Sequence, residues 1–216
     1  PGGSAAASQE INSEIKKLRE EGKVVVVSMA DVAASGGYYI AAAADKILAN
    51  PGTTTGSIGV IMQVTNLEEL YEKIGMEIET IKSGEQKDIG NPARPMTEEE
   101  RSILQSISND IYDQFVDAVA EGRNLSRERV LELADGRIFT GRQAFELDLI
   151  DELGDLYDAV EKAAELAGLD QIVIKEYGKL SFWDVFLGGG VNHYDLHGNF
   201  MEELNLYRLI RGVEIK

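Results

Sequence analysis

Apolar residues recur along this chain in two alternating rhythms. Ile11, Ile15 and Leu18 fall at helical spacing between Ala5 and Glu21, and Gly22 stops the run. Four consecutive valines then fill Lys23 to Met29, the pattern of a strand buried on both faces, as in parallel sheets. Ala30 to Ala34 is small and tight, and Ser35-Gly36-Gly37 opens a second helix over Tyr38 to Ala44. Asp45 to Ala49 predicts a short strand, Asn50-Pro51-Gly52 a turn, and Ser57 to Val64 a further strand. Asn66 to Ile74 predicts a helix, and the alternation over Met76 to Ile81 predicts a strand.

Ser83 to Pro95 is a polar loop with two glycines and two prolines. Thr97 with Glu100 has capping-box spacing and starts a helix running to about Glu121, with Ile103, Ile107, Ile111, Phe115 and Val119 on one face. Shorter helices are predicted over Ser126 to Leu133, Gly141 to Leu147 and Leu156 to Leu166, and a late strand over Gln171 to Glu176. Strand and helix alternate, so the class is α/β with a mostly parallel sheet and flanking helices. After Gly178 the pattern weakens, and Gly188-Gly189-Gly190 interrupts it.

Composition narrows the chemistry. The net charge is −17, with 38 acidic against 21 basic residues. Nucleic-acid affinity comes mainly from lysine and arginine neutralising phosphates, so no nucleic-acid partner is expected. The absence of cysteine removes thiol nucleophiles, disulfides and thiolate metal sites together. No run of about 18 apolar residues occurs, the length a helical membrane span needs. Pro1-Gly2-Gly3 reads as the middle of a turn, so a longer upstream part is expected.

Ser35 lies between a buried strand and a helix start, flanked by Ala34 and Gly36. Two readings fit it. Serine is a good N-cap, and a serine among small neighbours is also open to a substrate carbonyl. The only two histidines, His193 and His197, fall in the weakly patterned tail. A base for Ser35 is therefore sought among lysines. A lysine with a pKa near 10.4 becomes a base only when burial or a nearby cation lowers that value to about 7–8. Lys82 and Lys87 both lie in the glycine- and proline-containing loop, where functional residues are frequent. Backbone N–H groups for an oxyanion would come from Gly36 and from a second glycine turn, for which Gly2-Gly3 is the candidate.

An ordered set of segments carries a resemblance. Pro1-Gly2-Gly3 is similar to the end of the Ser-Pro-Gly-Gly segment of the Clp protease/crotonase superfamily. Asp31 to Tyr39, Asn50 to Val60, Lys82 to Asp88, Ala134 to Gly141 and Leu149 to Gly154 resemble the successive core segments of the signal peptide peptidase A family. The resemblance covers residues 1–165, the expected peptidase core without its upstream strand and membrane anchor. Residues 166–216 hold the late strand and the tail.

The resemblance implies a serine endopeptidase with a Ser–Lys dyad. It makes Ser35 the nucleophile and Lys87 the general base, since Lys87 directly precedes Asp88. Ser57 orients the lysine, and Gly2 and Gly36 take the oxyanion positions. No cofactor or metal is implied. The expected substrates are leftover signal peptides or other apolar peptides. The expected assembly is a ring-like homo-oligomer, an octamer in simple bacterial relatives, held on the extracytoplasmic side of a cell membrane by an upstream helix. Two related alternatives are a stomatin-cleaving membrane peptidase and a crotonase-like acyl-CoA binder.

Overall fold

Two short ladders of strands position the site. The computed structural model describes residues 2–175. The chain divides into two compact units, Pro1–Ile172 and Val173–Lys216. The described residues fill the first unit and enter only the start of the second. His193, His197 and the Gly188 to Gly190 run lie outside the described residues.

Helix α1 (Ala5–Glu20) is followed by β1 (Val26–Met29), β2 (Val32–Ala34), α2 (Gly36–Ala41), β3 (Lys46–Ala49) and β4 (Thr54–Gly56). Next come α3 (Glu68–Lys73), a 3-10 turn (Glu85–Asp88), α4 (Glu98–Arg123) and α5 (Arg127–Leu133). Strand β5 (Ile138–Thr140), α6 (Gly141–Glu146), β6 (Glu152–Leu153) and α7 (Leu156–Ala167) complete the unit.

The first sheet is β1-β3-β6, parallel throughout, with Val27 opposite Ile47 and Leu48 opposite Glu152. The second is β2-β4-β5, in which β2 and β4 are parallel and β5 is antiparallel. The α/β class with a mostly parallel sheet is therefore the one observed.

The core forms where α2 and α4 meet the first sheet. Tyr38, Met29, Ile47, Val116, Val119 and Leu149 are fully buried there. The Tyr38 hydroxyl donates to the Leu149 carbonyl at 2.8 Å, so its polar end is satisfied inside the core. Asp151 ties β3 to α4, accepting from Ile47 N–H at 2.8 Å, Arg123 at 2.8 Å and Lys46 at 3.0 Å. Burial pushes the Asp151 carboxyl up, but these donors outweigh it and hold the group below its ordinary range.

Helix boundaries follow their caps. Ser4, Thr97, Ser126, Thr140 and Asp155 each cap a helix with a side-chain oxygen. The structure departs from expectation in the strands. Ser57 to Val64 does not continue β4, because Gly56 (φ 76°) and Ser57 (φ 52°) turn the backbone left-handed. Met76 to Ile81 alternates but forms no strand, and its apolar side chains stay exposed, Ile81 at 94%. Alternation stabilises a strand only where a neighbouring strand and a core receive it. Residues 171–175 of the expected late strand are exposed and unladdered, and Glu176 lies outside the described residues. The three-residue β2 and β5 and the two-residue β6 were not anticipated as strands.

Candidate active site

Ser35 occupies the junction of β2 and α2. Its backbone adopts φ 53° and ψ −118°, a conformation rarely taken by a residue with a side chain. Such a backbone costs about 1–3 kcal/mol and persists only where the surroundings fix it. Two hydrogen bonds do so here. Ser35 N–H donates to the Gly56 carbonyl at 2.8 Å, and Tyr39 N–H donates to the Ser35 carbonyl at 2.9 Å. Ser35 stands at the N-cap position, yet its side chain makes no capping hydrogen bond. The capping reading therefore does not account for this serine, and its hydroxyl is uncommitted among the described residues.

The Gly2-Gly3 turn packs directly against it. A Cβ added at Gly2 would stand 3.0 Å from Ser35 Cβ and 3.3 Å from Ser35 Oγ. A Cβ added at Gly36 would stand 2.5 Å from Ser8 Oγ and 3.3 Å from Gly3 N. Only glycines allow the two turns to approach this closely. Ser8 is buried and bonds the Ser4 carbonyl at 3.0 Å, which seats α1 beside the turn.

Ser57 follows from the same ladder. Ala34 pairs with Gly56 in the parallel register, so Ser35 and Ser57 are the first residues beyond the paired ends of β2 and β4. Ser57 N–H donates to the Arg137 carbonyl at 2.8 Å, which fixes the left-handed turn from the β5 side.

Lys87 sits in the 3-10 turn with its side chain exposed. Its amine makes no hydrogen bond or ion pair among the described residues, and none links it to the hydroxyl of Ser35 or Ser57. Lys82, the other candidate, is engaged. It donates to Asp88 at 2.7 Å and to the Glu85 carbonyl at 2.8 Å. The structure thus gathers Ser35, Gly36, Gly2 and Ser57, and leaves Lys87 unjoined to them within one chain.

Sequence reasoning missed the polar chain beneath the lysine turn. Arg94 bonds Asp88 through Nε at 3.1 Å and bonds both carboxylate oxygens of Glu100. Glu100, only 2% exposed, also accepts from Thr97 N–H at 2.9 Å. Hydrogen bonds from Arg94, then from Thr97, hold the Glu100 carboxyl down at about 2. Hydrogen bonds from Arg94, then from Lys82, hold Asp88 well below the usual carboxylate range. The capping-box spacing of Thr97 and Glu100 was the one legible trace of this arrangement, and both halves of that box form.

Residues 17–170 match peptidase family S49. The chain belongs to that family. The S49 match spans Ser35, Ser57 and Lys87, and begins beyond Gly2. A Synechocystis sp. relative, whose name carries only a provisional protease assignment, is 55% identical over 170 residues, covering 79% of this chain and 61% of its own length. The chloroplastic serine protease SPPA of Arabidopsis thaliana is 42% identical over 170 residues, covering 78% of this chain and 25% of its own. The chain thus spans less than two thirds of these S49 relatives. Among solved structures, it is similar to a ClpP1 mutant from Listeria monocytogenes, with TM-score 0.46 at 17% identity, covering 73% of this chain and 71% of that one.

Proposed function

We propose that this S49 chain carries the catalytic site of a serine endopeptidase that uses a lysine base. The observation that carries the reading is Ser35 itself, a serine held in a left-handed backbone, with a hydroxyl that caps no helix, against a double-glycine turn. Ser35 Oγ attacks the scissile carbonyl while the neutral Lys87 amine takes its proton. The carbonyl oxygen, now negative, is met by the N–H groups of Gly36 and Gly2. Collapse of that intermediate breaks the peptide C–N bond, and the Lys87 ammonium returns the proton to the leaving amine. Water, deprotonated by the same amine, then attacks the acyl-serine ester, and the proton passes back to Ser35 as the ester bond breaks. Ser57 orients the amine.

Among the described residues, neither the Lys87 amine nor the Ser35 hydroxyl has a hydrogen-bond partner. That supports a dyad assembled between neighbouring copies in a ring-like homo-oligomer, with eight copies as the expected number. The substrates proposed are residual signal peptides and other short apolar peptides. Among the described residues no helix is long and apolar enough to cross a membrane. Attachment to the extracytoplasmic side of a cell membrane is part of the proposal and rests on the resemblance to the signal peptide peptidase A family.

Mixing inactive variants tests both parts. Ser35→Ala and Lys87→Ala should each abolish hydrolysis of an extended apolar peptide. A mixture of the two variants should regain activity, because some interfaces then pair an intact serine with an intact lysine. Full activity in either single variant would remove the mechanism. Two inactive variants with no regain on mixing would place both groups in the same chain.

A further inference from the structure

We propose that Arg94 and Glu100 are positioning residues for the general base, acting as a two-part anchor beneath the turn that presents Lys87. This inference rests on the Ser35–Lys87 reading above.

The argument starts from Glu100. Its carboxylate is shielded from water at the start of α4, with the side chain 3% exposed. A buried carboxylate is tolerated only when its oxygens are met by donors. Thr97 N–H supplies one donor at 2.9 Å, and the two terminal nitrogens of Arg94 supply the others. Two-pronged guanidinium contacts of this kind are directional as well as strong. The guanidinium plane is therefore fixed by the helix start and not by solvent.

Arg94 then hands that order to the lysine turn. It bonds the Asp88 carboxylate through Nε at 3.1 Å and lies 2.9 Å from the second carboxylate oxygen. It also reaches the Asp88 carbonyl at 3.4 Å. Asp88 in turn receives Lys82, which donates as well to the Glu85 carbonyl. Both ends of the Glu85–Asp88 turn are thus tied down, and Lys87 N–H closes it on the Gly84 carbonyl at 3.1 Å. Of the turn's side chains, the network engages that of Asp88, and the neighbouring Lys87 side chain stays exposed. The preceding segment gives little support of its own, since α3 buries no residue and Met76 to Ile81 is exposed.

An exposed ion pair with this many members would be a weak argument. Here one member is buried, and the network joins a regular helix to a single-turn element. Displacing a reacting group by about 1 Å can cost on the order of a hundredfold in rate. Loosening the anchor should therefore act on the chemical step and leave substrate affinity alone.

The test compares Arg94→Met, Glu100→Gln and the double variant with wild type on an extended apolar peptide. It also follows the rate at which a fluorophosphonate probe labels Ser35. Each single variant should lower kcat about tenfold or more while KM stays within about twofold. Probe labelling should slow by the same factor as kcat. The double variant should be no slower than the worse single one, because both act through one anchor. Asp155→Ala, which removes the side-chain cap of α7 and touches no member of this network, should lower the melting temperature with kcat near wild type. Arg94→Lys keeps the charge without the two-pronged contact, and carries the same test if Arg94→Met does not fold. Wild-type kcat in the folded Arg94 variants, with Lys87→Ala inactive, would overturn the anchor and leave the dyad standing. An active Lys87→Ala would remove both.

Discussion

Ser35 holds a backbone conformation that suits glycine better than serine. Ser35→Gly should therefore raise stability by about 1 kcal/mol, while Ser35→Ala, which keeps the Cβ, should not. Urea unfolding of the two variants checks this, and equal stabilities would show that the left-handed turn stores no strain. Gly36 makes the opposite case. Gly36→Ala places a methyl 2.5 Å from Ser8 Oγ, so it should destabilise the turn, and adding Ser8→Ala should recover part of the loss. Part of this neighbourhood is legible in the sequence, because a serine among small residues between a strand and a helix is a local pattern. The choice of Lys87 over Lys82 is not local. Both are loop lysines, and only the resemblance separates them.

Elements with their own caps and periodicity were readable in advance. The α4 helix was traced nearly to its ends from an apolar face and a Thr97–Glu100 box. Strands defined by their partners were not. The short strands β5 and β6 exist because β4 and β3 lie beside them, and nothing inside Ile138–Thr140 or Glu152–Leu153 states that. The Arg94–Glu100 contact has no periodic signature either, so no pattern pointed Arg94 inward. Two predictions belong at this scale. The Glu100 carboxyl titrates near 2 in the folded chain against an ordinary value of 4.5. A depressed carboxyl contributes stability above its unfolded value, and that contribution fades as pH falls toward the folded value. Circular dichroism should show the protein weakening from about pH 5 downward, with a shallower fall in Glu100→Gln. A wild-type slope in that variant would mean the group is not the one titrating. The second concerns Gly122, where an added Cβ would lie 2.0 Å from the Ala42 carbonyl oxygen. Gly122→Ala should push α4 off α2 and cost about 3 kcal/mol. A melting temperature unchanged from wild type would refute that packing.

At the scale of the whole molecule, the segment between Ser57 and the lysine turn departs from the usual sorting of apolar residues inward. Ile61 is 82% exposed, Ile81 94% and Ile74 63%, beside exposed Leu70, Met76 and Ile78. The chain as a whole carries −17. Like charge keeps copies apart over about 10 Å at 0.1 M salt, and less as salt rises. Added electrolyte should thus drive copies together instead of parting them, since it screens the repulsion and leaves the attraction between oily surfaces intact. Sedimentation at rising sodium chloride should show larger species, and Ile61→Ser with Ile81→Ser should abolish the trend. If the dyad is shared between copies, turnover per chain climbs along the same curve. The ionic strength of the surroundings then sets how many complete sites a given amount of protein displays.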